Sequence, residues 1–177
     1  SNNKLETYTE VFVPVMASIN PAFGTQKMTL KFGELEKVAV DDGFIWYAQL
    51  ELKSESFTEV PFCLVCKDET GVDDEAILLV ERIAKDIDQY IKEALVFLKD
   101  ELRREHCLSD DELKLLDVPV CELPFSSPQC TFYARDKQWL MRFAEGALDI
   151  CEPFGIGVIF EGEKPLRLEN LELSEER

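Results

Sequence analysis

The chain has 177 residues, of which 46% are hydrophobic and 31% are charged, a composition typical of a globular protein and not of a disordered chain. Its 36 acidic and 19 basic residues give a net charge of −17. This charge argues against nucleic acid and anionic membranes as partners, because both bind basic surfaces. No apolar run approaches the roughly 18 residues of a membrane-spanning helix. We expect one domain over 1–177.

The first 25 residues carry mixed signals. Val11-Phe12-Val13-Pro14-Val15 is strand-like in composition, but a proline cannot donate the hydrogen bond that a central strand needs. We therefore expect an irregular N-terminal arm over 1–25. The opening residues show no signal-peptide pattern, and a leader removed from the chain stays an open alternative.

Alternating apolar and polar side chains mark the next strands. The alternation predicts strands over 28–32 and 44–53, separated by a turn at 41–43. A further apolar run over 57–66 follows. Together these segments predict an antiparallel meander with one solvent-exposed face.

The apolar period then changes to three or four residues. This spacing predicts one long amphipathic helix over 72–105. Its first turn is acidic and its last turn carries two arginines, as the helix dipole favours. Ser109-Asp110-Asp111-Glu112 is a capping box, which predicts a short second helix through Leu116.

Strand patterns return after Pro119. Four candidate strands cover 129–135, 138–143, 155–160 and 166–168. The acidic tail 169–177 is expected to fray. The order of strands, helices and strands predicts an α+β fold, in which the 72–105 helix packs on the apolar face of a twisted antiparallel sheet.

Six cysteines are spread along a chain that is long enough to fold without disulfides. Most stand beside apolar residues, which favours reduced, buried thiols in a cytoplasmic protein; a bridged, secreted protein is the alternative. Cys63-Leu64-Val65-Cys66 is a CxxC motif, but its thiols face opposite sides if it lies in a strand. A zinc site would need two more ligands. His106 is the only histidine, and a thiol-dependent enzyme would pair it with a cysteine other than its neighbour Cys107.

The negative charge is densest at two predicted helix entrances. The two groups are Asp73, Asp74 and Glu75, and Asp110, Asp111 and Glu112. Solubility and helix capping explain part of this excess, and an acidic face that steers a basic partner is the sharper interpretation. Their spacing does not match a calcium loop, so we predict no metal and no cofactor. Trp139 follows a polar hairpin turn and is predicted to be an exposed aromatic anchor.

The last third of the chain carries a pattern of aromatic residues and glycines. It consists of Phe132-Tyr133, Trp139, Phe143-Ala144-Glu145-Gly146 and Gly155-Ile156-Gly157-Val158-Ile159-Phe160. With the layout of 27–168, this pattern resembles uncharacterised bacterial domains of unknown function, several of which are similar to the small acidic immunity proteins of toxin loci. Related families often carry a histidine after the tryptophan hairpin. This chain has Arg142-Phe143 there, so the resemblance implies no catalytic or metal-binding residue at that hairpin.

The sequence therefore predicts a non-enzymatic, immunity-like binding protein that neutralises a basic protein partner. The two acidic groups and Trp139 are the expected partner-binding residues. One alternative is a thiol-dependent enzyme built on a cysteine near His106. Another is a small-molecule carrier with an apolar pocket between helix and sheet. The sequence does not indicate an oligomeric state.

Overall fold

Residues described by the computed structural model form eight strands and three helices. These residues are 26–30, 33–40, 43–51, 57, 59–66, 73–105, 108–134 and 136–171. The strands are β1 (Gln26–Leu30), β2 (Gly33–Val40), β3 (Gly43–Glu51), β4 (Glu59–Cys66), β5 (Phe125–Tyr133), β6 (Gln138–Gly146), β7 (Ile156–Glu161) and β8 (Lys164–Asn170). The helices are α1 (Asp74–Lys85), α2 (Ile87–Glu105) and α3 (Asp110–Leu116), and short 3-10 turns occupy Val120–Glu122 and Asp149–Cys151.

One sheet holds all eight strands in chain order. Neighbouring strands are antiparallel except β4 and β5, which are parallel and pair Phe62 with Cys130 and Leu64 with Phe132. The prediction of a purely antiparallel sheet is therefore wrong at this pair. The reason is the crossover through three helices, which returns the chain to the end of the sheet where β4 began. Two antiparallel meanders are thus joined side by side.

The first meander agrees with the alternating pattern, with one addition. The strands predicted over 44–53 and 57–66 are confirmed as β3 and β4. The pattern over 28–32 predicted only the first strand, whereas the structure adds β2 directly after it. Thr29 of β1 pairs with Glu34 of β2, so the two strands form a tight hairpin.

The predicted helix over 72–105 is in fact two helices, so the prediction of a single long helix is wrong. Asp86 interrupts it with φ −120° and ψ 36°, outside the α-helical region. The Asp86 carbonyl oxygen accepts hydrogen bonds from the backbone N–H groups of Gln89 at 3.0 Å and Tyr90 at 3.4 Å, and a new helix begins there. Aspartate is disfavoured inside helices and favoured at their starts.

The helices pack on one face of the sheet, which we call the helix face. Their contribution to the main core includes Val80, Ile83, Ala94 and Leu98, and the strands contribute Val60, Phe62, Leu64, Cys130, Phe132, Trp139, Met141, Phe143, Val158 and Phe160. The predicted α+β class and the packing of helices on an apolar sheet face are confirmed. α3 is also confirmed, since Ser109 and Glu112 form both hydrogen bonds of the capping box.

The opposite face of the sheet, which we call the second face, is buried at its centre. Strand pairing aligns Ile45, Val65 and Tyr133 in one row and Cys63, Thr131, Leu140 and Ile159 in the next. These seven side chains are at most 3% exposed. The prediction of a solvent-exposed face is therefore wrong here. The strands that meet at the parallel pair are apolar on both sides, as in sheets covered on both faces.

The C-terminal strands extend beyond their predicted ends. β8 runs to Asn170, where it pairs with Ile156 of β7, and Leu171 is fully buried. The prediction that the tail frays from residue 169 is therefore wrong for 169–171, because these residues complete the edge of the sheet. The predicted N-terminal arm over 1–25 and the remaining tail over 172–177 lie outside the described residues.

Candidate functional site

The first acidic group lies at the start of α1. Asp73 is its N-cap, and the Asp73 Oδ1 accepts a hydrogen bond from the Ala76 backbone N–H at 2.7 Å. Asp73, Asp74 and Glu75 are all exposed. Helix capping explains why an aspartate stands at position 73, because the first N–H groups of a helix have no partner within the helix.

A cleft of about 380 Å³ adjoins this group. Its lining consists of Asp73, Glu75, Ala76, Leu78, Leu79, Arg82, Asp136, Lys137 and Gly162. Carboxylates and cations thus face the same space, and the cleft is neither strongly acidic nor apolar. It differs from the predicted apolar pocket between helix and sheet, since that interface holds the packed core.

The second acidic group belongs to a larger surface at the other end of the sheet, which we call the acidic end. It combines α3 and its following turn with the loop after β6. Its carboxylates are Asp110, Asp111, Glu112, Asp117, Glu122, Glu145, Asp149 and Glu152. All of these side chains except the half-buried Glu112 are exposed, and Lys114 is the only cation within 109–124 and 145–154. Two cations of α2 also reach this surface, since Arg103 pairs with Asp117 at 3.3 Å and Lys99 donates to the Val118 carbonyl oxygen at 2.9 Å.

Glu112 joins the two segments of the acidic end. Glu112 Oε1 accepts from the Ser109 backbone N–H at 3.2 Å, and Oε2 accepts from the Asp149 backbone N–H at 3.2 Å. These hydrogen bonds stabilise the carboxylate and lower the pKa of Glu112 below its ordinary value. The carboxylate therefore ties α3 to the turn after β6 while it is charged.

Apolar side chains are exposed within the same surface. Leu113 and Leu115 of α3 are 37% and 40% exposed, and they follow the acidic first turn of that helix. Cys121 is also exposed on the next turn. The acidic end can therefore offer a partner both charge and apolar contact.

The two predicted acidic groups do not form one patch. The cleft beside Asp73 includes Lys137, which precedes β6, while Glu112 bonds to Asp149, which follows β6. The nine residues of β6 separate the two ends by about 27 Å at the usual rise of a strand. A single small interface does not cover both groups.

Trp139 is fully buried, so its prediction as an exposed anchor is wrong. The indole stacks on Phe132 at 5.0 Å and on Phe160 at 4.3 Å between ring centroids. Its Nε1–H donates to the Gly162 carbonyl oxygen at 2.7 Å. Tyr90 of α2 meets the same ring edge-on at 6.1 Å. The turn before Trp139 is polar, but the strand alternation directs the ring to the helix face.

The described thiols do not form a catalytic arrangement. Cys63, Cys130 and Cys151 are buried and Cys121 is exposed, and none of the four is in a disulfide. Burial raises the pKa of Cys130 well above its ordinary value and that of Cys151 to about 11, which disfavours the reactive thiolate. The CxxC motif lies in β4, as predicted. His106 and Cys107 lie outside the described residues.

Comparison of the chain with protein families, with curated proteins and with solved structures finds no match. The structure alone therefore defines its fold class. It is an α+β protein in which two antiparallel meanders are joined by a parallel pair of strands. Within the described part of the chain, no group of His, Cys, Asp and Glu side chains is arranged to hold a metal ion. Over the same residues, no helix has the length and apolar character needed to cross a membrane.

Proposed function

We propose that this protein is a binding protein that captures a basic surface of another protein through its acidic end. The observation that carries this proposal is the concentration of exposed carboxylates on α3 and the loop after β6. They outnumber the cations that meet this surface, which are Lys114 of α3 and Lys99 and Arg103 of α2. Such a surface attracts a basic partner during diffusion and orients it.

The exposed leucines give the acidic end a second role in binding. Leu113 and Leu115 would supply apolar contact once the partner has docked, since charged rims add more to association rate than to affinity. An amphipathic basic segment, with lysines or arginines beside apolar side chains, therefore fits this surface best. The first acidic group, at Asp73, Asp74 and Glu75, stays a separate prediction.

The kind of partner follows from the resemblance to immunity proteins. A basic bacterial toxin, neutralised by the acidic end, is the partner that this resemblance favours. We place the protein in the cytoplasm, in keeping with the four cysteines of the described residues that form no disulfide.

The test measures binding of a lysine-rich amphipathic peptide to the full chain by fluorescence anisotropy. The test variant carries Asp110→Asn, Asp111→Asn and Glu122→Gln. The control variant carries Asp74→Asn, Glu75→Gln and Asp88→Asn, which removes the same number of exposed charges from the helix starts nearer the other end. A glutamate-rich peptide of equal length controls for non-specific binding.

We expect the test variant to bind the lysine-rich peptide about tenfold more weakly at low salt, because exposed ion pairs contribute roughly 0.5 kcal/mol each. The control variant should bind like the unmodified chain. The difference should shrink at physiological ionic strength, where exposed charges are screened. Equal weakening by both variants, or an affinity that does not depend on salt, would contradict the proposal.

A further inference from the structure

The cleft beside α1 has two walls that come from different parts of the fold. One wall is α1, which contributes Ala76, Leu79 and Arg82, and the other consists of the turns before β6 and β8, which contribute Lys137 and Gly162. Its volume of about 380 Å³ lies in the range of small-molecule sites. The cleft is separate from the acidic end, so nothing that follows depends on the proposed function.

Hydrogen bonds fix the wall that the two turns form. The Gly162 N–H donates to the Lys137 carbonyl oxygen at 2.8 Å, and the Gly162 carbonyl oxygen accepts from the indole N–H of the buried Trp139 at 2.7 Å. The Asp136 Oδ1 accepts from the Gln138 backbone N–H at 3.0 Å. This wall is therefore anchored in the core, and a site with such walls loses little conformational entropy when a ligand binds.

Two cations at the cleft keep hydrogen-bond donors available. Arg82 Nη1 lies 3.5 Å from Glu163 Oε2, which is longer than an ordinary charge-assisted hydrogen bond. Glu163 is held in place by Tyr90, whose hydroxyl donates to Oε1 at 2.6 Å. Lys137 pairs with no carboxylate among the residues that the structure describes. Both cations can therefore bind an anionic group that enters the cleft.

The side chains of α1 line the cleft in the order negative, apolar, positive. Asp73 and Glu75 stand at the start of the helix, Leu78 and Leu79 follow, and Arg82 comes last. The two carboxylates outweigh the partial positive charge of the helix start. At the helical rise of about 1.5 Å per residue, Glu75 and Arg82 lie about 10 Å apart along the axis. A complementary ligand carries a cation and an anion at this separation, with an apolar group between them.

We infer that this cleft binds a short free peptide of about three residues. The ammonium group of the peptide pairs with Asp73 and Glu75. Its carboxylate pairs with Arg82 and Lys137, and its middle side chain packs on Leu79. An extended chain rises by about 3.3–3.6 Å per residue, so the ends of a tripeptide match the separation of the charges on α1. A single amino acid carries both charges on one carbon atom and does not span that distance.

The test uses the tripeptide alanyl-leucyl-alanine and the full chain labelled with ¹⁵N. Nuclear magnetic resonance follows the backbone amide signals of Ala76 and Gly162, which lie on opposite walls of the cleft. We expect both signals to shift at millimolar concentrations of the free tripeptide. Its N-acetyl form, its C-terminal amide and free leucine should each bind about fivefold more weakly, because each loses one exposed ion pair or the span between two.

Two variants of the lining assign the direction of the peptide. Arg82→Gln should bind the free tripeptide about fivefold more weakly and lose most of the preference over the amide, while it keeps the preference over the N-acetyl form. Glu75→Gln should show the opposite pattern. Lys85→Gln is the control, because Lys85 is exposed on the last turn of α1 and is not part of the lining. It should bind all four probes like the unmodified chain.

Three results would overturn the inference. One is the absence of any shift at Ala76 and Gly162 with the free tripeptide. Another is an affinity for free leucine equal to that for the tripeptide, since the separation of the charges would then have no role. The third is equal weakening by Arg82→Gln and Lys85→Gln, which would report the net charge of the chain and no specific pairing in the cleft.

Discussion

At the scale of single residues, Trp139 shows why a polar turn is a weak guide to exposure. The residues before it are charged, yet its indole is the largest fully buried side chain. The ring lies between Phe132 and Phe160 and satisfies its N–H on Gly162. Position within the strand decides where a side chain points, and a neighbouring turn does not change that direction.

We expect Trp139→Phe to lower the free energy of unfolding by about 3 kcal/mol, because it leaves a cavity and removes the partner of the Gly162 carbonyl. Trp46→Phe is the matched control. Trp46 is only half-buried, so Trp46→Phe should lower the free energy of unfolding by about 1 kcal/mol or less. Urea unfolding followed by circular dichroism measures both values. Equal losses in the two variants would show that Trp139 is not a central part of the core.

Glu112 provides a prediction with a defined pH dependence. Its folded pKa is lowered by hydrogen bonds from Ser109 and Asp149. It therefore stabilises the fold above its unfolded pKa, and this contribution disappears as the pH falls through the folded value. We expect Glu112→Gln to be less stable than the unmodified chain at neutral pH and to lose less stability on acidification.

Thermal unfolding between about pH 6 and pH 3, the range in which a glutamate titrates, measures this difference. Asp111→Asn is the control, because Asp111 is exposed beside Glu112 and forms an ion pair with the exposed Lys114 at 3.9 Å. The control should follow the unmodified chain closely. A Glu112→Gln variant with the acid sensitivity of the unmodified chain would be incompatible with this role.

At the scale of elements, the periodicity of the sequence predicted most strands and helices. It was a weaker guide to where a helix ends and to the direction in which a strand runs. The alternation over 44–53 and the capping box at 109–112 each correspond to an element. The break at Asp86 was missed because the apolar spacing continues through it, and one aspartate does not by itself specify a helix end. The parallel pair was missed because strand direction depends on where the crossover lands.

The candidate site was also predictable only in part, because a local sequence pattern does not show which distant segments meet. Acidic residues at helix starts are visible in the sequence, and Asp110 and Asp111 do lie on the surface. Glu145, Asp149 and Glu152 join them only through the fold, because the end of β6 lies beside α3. Proximity between segments far apart in the chain has no local signal, so this part of the acidic end was missed.

Two glycines with positive φ allow a matched test of the turns. Gly155 has φ +82°, and an added Cβ would lie 2.0 Å from the Phe143 carbonyl oxygen, whereas Gly162 has φ +58° and open space around it. We expect Gly155→Ala to cost more than about 3 kcal/mol, because strain and a backbone clash combine. Gly162→Ala should cost only about 1 kcal/mol, from strain alone. Urea unfolding of both variants measures the difference, and similar costs would contradict the close approach at Gly155.

At the scale of the whole molecule, the net charge of −17 is distributed unevenly. The acidic end concentrates exposed carboxylates, while at the other end Arg82 and Lys137 face the carboxylates of the cleft. Repulsion within the acidic end opposes the compact state. The buried apolar core, which extends from Leu35 of β2 to Phe160 of β7, acts against this repulsion.

We therefore expect sodium chloride to stabilise the protein. Raising its concentration from about 10 mM to about 200 mM should increase the free energy of unfolding by about 1 kcal/mol, because the Debye length falls below the spacing of many surface charges. The variant with Asp110→Asn, Asp111→Asn and Glu122→Gln should show a smaller salt-induced increase in the free energy of unfolding. Urea unfolding at both salt concentrations measures the effect, and a salt-induced loss of stability would contradict it.

The central position of β4 affects how the protein is made. β4 lies between β3 and β5, yet residues 67–124, which include α1, α2 and α3, must leave the ribosome before β5 can pair with it. Until then β4 is the open edge of a nascent sheet, and its side chains at Val60, Phe62 and Leu64, which end up buried, are uncovered. Such an edge pairs readily with other chains. A product that stops short of β5 will therefore aggregate unless a chaperone holds it.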